Sequence, residues 1–167
     1  MADIPESDAE IVVAVEIPRG SRNKYEYDPE LGEIVLDRRL FTSTVYPADY
    51  GFVEGTLGED GDPLDALVLV GDPTFPGCRI RVRTVGVFHM VDEKGTDDKL
   101  VCVPLRDPLW AGIRDLHDIP EAFRAEIEQF FKVYKDLEGL PVRTAGYGDR
   151  TEAMRVLEEA RARASVD

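Results

Sequence analysis

Glu59-Asp60-Gly61-Asp62-Pro63-Leu64-Asp65-Ala66-Leu67-Val68-Leu69-Val70 sets three carboxylates, Asp60, Asp62 and Asp65, within six residues and follows them at once with an unbroken apolar run. Gly61 and Pro63 force a turn, and Ala66 to Val70 reads as a buried strand, so the carboxylates stand at its entrance. Each ionised neighbour disfavours the next, and a hard divalent cation with oxygen ligands is the simplest remedy. The competing reading is a solvated acidic turn; against it stands the adjoining core strand, which fixes Asp65 in place. A helix-loop-helix calcium loop is excluded by the residues themselves. Counted from Asp60, its fifth position needs Asp or Asn where Leu64 stands, and its twelfth needs Glu where Gly71 stands.

A chain of 167 residues with 43% hydrophobic content is long enough for one domain with a real core. No stretch has the length of a membrane span, and Met1 to Asp8 has neither the basic nor the apolar region of a signal peptide. These features predict a cytoplasmic protein. A formal charge of −14 argues against naked nucleic acid or an anionic membrane as partner. A polyanionic substrate would have to arrive with its own metal ions or meet a local basic patch. Cys78 and Cys102 have no metal-site spacing and read as small buried thiols.

Outward from the acidic turn, period-two patterns predict short strands. Glu10 to Ile17 is one, with Val12, Ala14 and Glu16 on a shared face. Residues 24 to 37 read as a hairpin about the Pro29 to Gly32 turn, its polar face carrying Lys24 and Glu26, which alone would be an ordinary exposed ion pair. Tyr46 and Tyr50 flank a Pro-containing turn, where they can pack at a surface or offer hydroxyls to an oxyanion. Cys78 to Val85 alternates Arg79, Arg81 and Arg83 against Ile80 and Val82, a strand half exposed to solvent. Val87 to Val91 is a further strand, in which His89 reads as a packed or hydrogen-bonded histidine. It runs into a second acidic turn, Asp92-Glu93-Lys94-Gly95, after which Asp97, Lys99 and Val101 share one face of a strand reaching Val103.

Such strands, punctuated by Gly and Pro, suggest a small closed or partly closed sheet. Helices come late. Asp118 can cap a helix entering at Ile119 and Pro120, with Glu121 at capping-box distance. Ala122, Phe123, Ile127, Phe130, Phe131 and Tyr134 recur at helical spacing, and Tyr134-Lys135-Asp136 ends that helix. Asp149 and Glu152 begin a second, charged helix that carries Met154, Val156 and Leu157 and reads as a packing or subunit-contact element.

In order, Glu16-Ile17-Pro18, Asn23-Lys24-Tyr25-Glu26, Asp37-Arg38, Tyr46-Pro47-x-x-Tyr50-Gly51, Asp60-Gly61-Asp62-Pro63-x-Asp65, Asp92-Glu93-x-Gly95-x-Asp97-x-Lys99 and Tyr134-Lys135-Asp136 resemble the soluble family I inorganic pyrophosphatases. The match is collinear over about residues 11 to 138, and the Asp-Gly-Asp-Pro-x-Asp element is its most specific part. Residues 22 to 26 and 61 to 69 look most like the actinobacterial branch.

The resemblance implies an α+β fold, mainly β: a five-stranded barrel of the oligonucleotide/oligosaccharide-binding (OB) type flanked by two helices. One domain would fill residues 1–167, with a flexible leader at 1–10 and a C-terminal helix at 149–165. It implies Mg²⁺-dependent hydrolysis of diphosphate to two orthophosphates, several ions per site, with Mn²⁺ or Zn²⁺ able to stand in, by a homohexamer. By similarity Asp60, Asp65 and Asp97 would hold the first metals, Asp92 would join Asp97 on another, and Glu16 and Glu26 would lie on or behind the metal shell. Asp62 would help take the proton from the attacking water, with Asp97 as the competing assignment. Lys24, Arg38, Tyr50, Tyr134 and Lys135 would grip the phosphates, supported by Lys99 and Tyr46. Thr96 departs from the pattern, standing where some members carry another carboxylate. Two other readings remain: a metal phosphohydrolase of nucleotides or polyphosphate, and a non-catalytic OB-type binding module.

Overall fold

The computed structural model describes residues 6–166. A 3-10 turn, Glu6–Ala9, leads into β1 (Glu10–Ile17) and buries Ala9 completely; residues 1–5 of the expected leader lie outside the described part. There follow β2 (Asn23–Asp28), β3 (Glu33–Arg39), β4 (Asp49–Val53), β5 (Asp65–Val68), β6 (Arg79–Asp92), β7 (Gly95–Thr96) and β8 (Lys99–Pro104). Helix α1 (Glu121–Val133), β9 (Arg143–Gly148) and helix α2 (Arg150–Val166) complete the order.

β1 pairs with β4 on one side and with β6 on the other, and β4, β5, β8 and β6 pair in succession, so five strands close on themselves. Closure removes the unpaired edges that an open sheet of this size would expose. The expected five-stranded OB-like barrel with two helices is therefore found. β2 and β3 form the expected hairpin outside the ring, and β7 and β9 extend β6.

The apolar run after the acidic turn is continuous because β5 is buried on both faces. Leu67 and Leu69 join one cluster with Phe88, Val101, Tyr46 and the α1 residues Ile127, Phe130 and Phe131, while Ala66 and Val68 join a second with Val13, Leu100, Cys102 and the α2 residues Ala153, Met154, Val156 and Leu157. α2 is thus a packing element, as its sparse apolar residues suggested.

Several expectations are corrected. The two strands expected from Cys78 to Val91 are one 14-residue strand; Gly86 lies at a slip in the β6–β8 register, not at a break. Arg83, expected on an exposed face, is 5% exposed and donates to Trp110 O and Ile113 O, pinning the 108–113 segment. Cys102 is buried, but Cys78 precedes β6 and is only half-buried. Asp118 does not cap α1: it accepts from the Arg114 and Asp115 N–H groups and closes a capping box with Asp115 around the 3-10 turn Leu116–Asp118, leaving Pro120 before α1. β9 is an element that the sequence did not suggest.

The Tyr50-Gly51 pair has a steric reason. A Cβ at Gly51 would lie 1.9 Å from Ala14 O on the paired strand, and backbone at that position has no flexible end to give way. Gly51→Ala is expected to lower stability by about 3 kcal/mol or more, at or above the upper end of overpacking costs, read as a shift in the urea midpoint at unchanged slope.

Candidate active site

Two turns set the acidic groups and two irregular pairings aim others. In the first turn Gly61 has φ 90°, which Gly tolerates freely, and Asp60 Oδ1 accepts the Asp62 N–H at 3.1 Å, holding the loop compact. The second turn uses Gly95 at φ 111°, with Asp92 accepting from Lys94 N at 2.9 Å. The β1–β4 register slips between Val15 and Ile17, making Glu16 the extra residue. The β2–β3 register slips between Lys24 and Tyr25, where Asp37 is the extra residue opposite. Bulges re-aim side chains in this way.

Together these elements line a cavity of about 850 Å³ bounded by the β2–β3 hairpin, both acidic turns and the end of α1. It contains Glu16, Lys24, Glu26, Arg38, Tyr46, Tyr50, Asp60, Asp62, Asp65, Asp92, Asp97, Tyr134 and Lys135. Every expected site residue is brought to this one mouth except Lys99, which lies beneath its floor with a side chain 0% exposed.

Lys99 organises that floor. Its Nζ donates to Asp65 Oδ2 at 3.0 Å, Asp97 Oδ2 at 3.1 Å and the Tyr50 hydroxyl at 2.9 Å, and Tyr50 in turn donates to Asp65 Oδ2 at 2.7 Å. The Tyr50 and Phe131 rings lie about the ammonium, their centroids 5.0 and 5.2 Å away. Burial alone would push the ammonium down, yet Asp65 and Asp97 outweigh it and hold it above the usual lysine value. The magnitudes agree: each contact is worth about 5 kcal/mol at an effective dielectric near 20, while desolvation of an ion costs several kcal/mol.

One lysine does not neutralise the mouth. Burial raises the Asp97 carboxyl to about 6 and the Glu16 carboxyl to about 7, with Asp65 adding to both. Burial also raises Asp60. These carboxylates resist ionising together, which is the charge deficit that a bound cation removes. The donor set is all oxygen, matching a hard divalent ion. Among the described residues no group of three His, Cys, Asp or Glu side chains is arranged to hold an ion unaided. An ion here would complete its shell with water or substrate oxygens, as Mg²⁺ characteristically does.

The cationic side is set in part by partners that sequence reading did not single out as site residues, Glu138, Asp37 and Glu93. Arg38 is gripped by Glu138, with a second contact at 3.0 Å, and by Asp37 at 2.6 Å. Lys135 lies 3.3 Å from Glu93 and 3.6 Å from Asp92. Lys94 reaches across the mouth to Asp62 at 3.6 Å. Glu138 sits in the 3-10 turn Asp136–Glu138 that follows α1, and no local spacing links it to Arg38. Tyr46 is 1% exposed, its ring 5.6 Å from Tyr50 and 4.6 Å from Phe130, so of the two roles open to it the packing one is realised. His89 is hydrogen-bonded to Asp98, as its surroundings suggested.

A family model described as inorganic pyrophosphatase matches residues 13–165. An inorganic pyrophosphatase of Streptomyces coelicolor is 61% identical over 152 residues, 90% of this chain and 93% of that protein. The crystal structure of inorganic pyrophosphatase from Thermus thermophilus superposes with a TM-score of 0.92 at 45% identity, covering 99% of this chain and 95% of that one. The Helicobacter pylori inorganic pyrophosphatase structure gives 0.92 at 38% identity over 98% of each chain. Among the described residues no helix is long and apolar enough to cross a membrane.

Removing Lys99 would leave Asp65 and Asp97 buried without their shared cation. Lys99→Met is expected to destabilise the metal-free protein by about 3–5 kcal/mol, the range for breaking a buried pair by deleting one partner, measured by urea unfolding in chelator.

Proposed function

The chain belongs to the inorganic pyrophosphatase family, and from that premise we propose that it hydrolyses inorganic diphosphate to two orthophosphates with Mg²⁺ as the activating ion. The observation that carries the reading is the convergence of carboxylates and cations from β1, the β2–β3 hairpin, both acidic turns and the end of α1 on a single mouth. Bound Mg²⁺ would supply charge neutralisation on the phosphoryl oxygens and a lowered pKa for a water that it holds.

The residues divide the work. Asp60, Asp65, Asp92 and Asp97 hold the ions, with Glu16 and Glu26 on or behind them. Asp62 accepts the proton of the attacking water. Its side chain is 61% exposed, with Lys94 as its partner at 3.6 Å, whereas Asp97 Oδ2 is committed to Lys99; this difference favours Asp62 as the base over Asp97. Lys24, Arg38, Lys135 and the Tyr50 and Tyr134 hydroxyls bind the phosphates. Opposing charge on developing phosphate oxygens is the main electrostatic task of phosphoryl transfer. Lys99 and Tyr46 keep these groups in place from below. Arg38 arrives oriented by Asp37 and Glu138, which reduces the ordering cost of gripping an anion.

The enzyme acts in the cytoplasm as a homohexamer. Light scattering is expected to give a six-chain mass, and a monomeric mass would reject that assembly.

Phosphate release from diphosphate is expected to require Mg²⁺ and to stop in excess chelator, with nucleoside triphosphate and polyphosphate turned over far more slowly in parallel assays. Asp62→Asn and Asp65→Asn are expected to lower turnover by about 10²–10⁴-fold with an unchanged circular dichroism spectrum. Full activity in chelator would reject the reading.

A further inference from the structure

Behind the mouth lies a second cavity of about 380 Å³, bordered by the acidic turn on one side and α2 on the other. Asp60, Asp65 and Asp97 border both spaces. Three of the carboxylates proposed as metal ligands therefore form a thin wall with open volume on either side. Ligands are held in one geometry by the atoms packed and bonded behind them; Lys99 does this for Asp65 and Asp97 from the barrel floor, while the side toward α2 opens onto the rear cavity.

Besides Leu64, which packs in the apolar cluster with Met154 and Val156, two polar attachments tie this region to α2. Arg163 Nε donates to Leu57 O at 2.8 Å and the Leu57 N–H donates to Ala160 O at 3.0 Å, tying the stem of the first acidic turn to the helix. His89 makes the second. Its Nδ1 lies 3.0 Å from Asp98 Oδ1 and its Nε2 lies 3.2 Å from Glu152 Oε1, so one ring spans from the residue next to Asp97 to the first turn of α2.

The backbone is shaped around this contact. The β6–β9 register slips between Phe88 and Met90, which places His89 at the irregularity. On β9 a Cβ at Gly148 would lie 2.1 Å from Glu152 Oε2, so the absence of a side chain there clears the seat for the carboxylate. Asp97 and Asp98 are consecutive in the extended link between β7 and β8. Asp97 borders the mouth as well as the rear space, whereas Asp98 borders the rear space alone. The Asp97 N–H is fixed on Met90 O at 2.9 Å, and Asp98 is fixed on the neighbouring His89.

We propose that His89 is a positioning residue for Asp97: by holding Asp98 and Glu152 at once, it sets the direction in which the Asp97 carboxylate meets a divalent cation in the mouth. The proposal rests on the function inferred above and assigns His89 no contact with diphosphate or the attacking water. With both nitrogens protonated, an imidazole presents donors on opposite sides and can pair with two carboxylates at once, Asp98 through the Nδ1 hydrogen bond and Glu152 across 3.2 Å from Nε2. Leucine fills similar space with no donor, while arginine offers N–H groups to both partners.

Three forms of the full chain, native, His89→Leu and His89→Arg, test it. Isothermal titration calorimetry without substrate gives Mg²⁺ affinity, and phosphate release gives kcat, KM and the half-activating Mg²⁺ concentration. His89→Leu is expected to weaken Mg²⁺ binding and raise the half-activating concentration by about tenfold, the scale of losing an outer partner of a metal ligand, with kcat at saturating Mg²⁺ close to native. His89→Arg is expected to restore most of the affinity. Native Mg²⁺ affinity in His89→Leu overturns the proposal, and so does equal weakening in both variants, since bulk at position 89 would then account for the effect. Should His89→Leu fail to fold, Glu152→Ala at the 40% exposed far end of the tether replaces it: weakened Mg²⁺ binding supports the role and unchanged binding refutes it. A native protein that does not release phosphate from diphosphate would reject the proposed activity, while the calorimetry would still decide what His89 does.

Discussion

A single buried ammonium reconciles the fold with its acidic mouth. Lys99 sits on β8 beside Asp65 on the parallel neighbour β5, and its Nζ joins Asp65, Asp97 and Tyr50. Without that cation the barrel would have to bury carboxylates beside Phe131 and Tyr50 with nothing opposite them, a cost that native proteins avoid. With it, the strand that forms the core also ends in a charged floor. The remaining negative charge faces the cavity, where mobile cations and a metal-loaded anion can reach it. An overall charge of −14 and an anionic substrate are compatible on these terms.

The same barrel strands serve two packing jobs. β5 and β8 send alternate side chains into two apolar clusters, one completed by α1 and the other by α2. α1 delivers Phe130, Phe131 and Tyr134 to the mouth side, and Lys135 follows directly where the helix ends. α2 stands behind the acidic turn and ties it from the rear. Both helices thus hold the site through the strands they cover, and neither is mere wrapping.

Much of this was legible in the chain. Gly61, Pro63 and the apolar run from Ala66 mark a turn entering a core strand by local chemistry alone, and the expected site residues from Glu16 to Lys135, Lys99 apart, line one cavity. What failed did so for physical reasons. Arg143 to Gly148 contains two glycines and little apolar alternation, so β9 owes its extension to pairing with β6 rather than to its own residues. Asp118 offered a good cap, but a closer pair of N–H groups claimed it. Arg83 looked exposed because alternation says which way a side chain leaves the strand and not what later folds over it; the 108–113 segment does so. Glu93 and Glu138 were missed as partners of Lys135 and Arg38 because ion pairing across a cavity leaves no local pattern.

Barrel closure carries a kinetic consequence. β1 finds one partner nearby in β4, but its other edge pairs with β6, joining Val13 to Ile80, and β6 must also take up β8 and β9. Loop closure over such spans comes before the contacts that reward it. On the ribosome the first strand therefore emerges long before its second neighbour exists, and its unpaired backbone edge stays open until β6 has left the exit tunnel. Translation speed through residues 54 to 92 sets how long the nascent chain exposes that edge to chaperones and to other unfinished copies of itself.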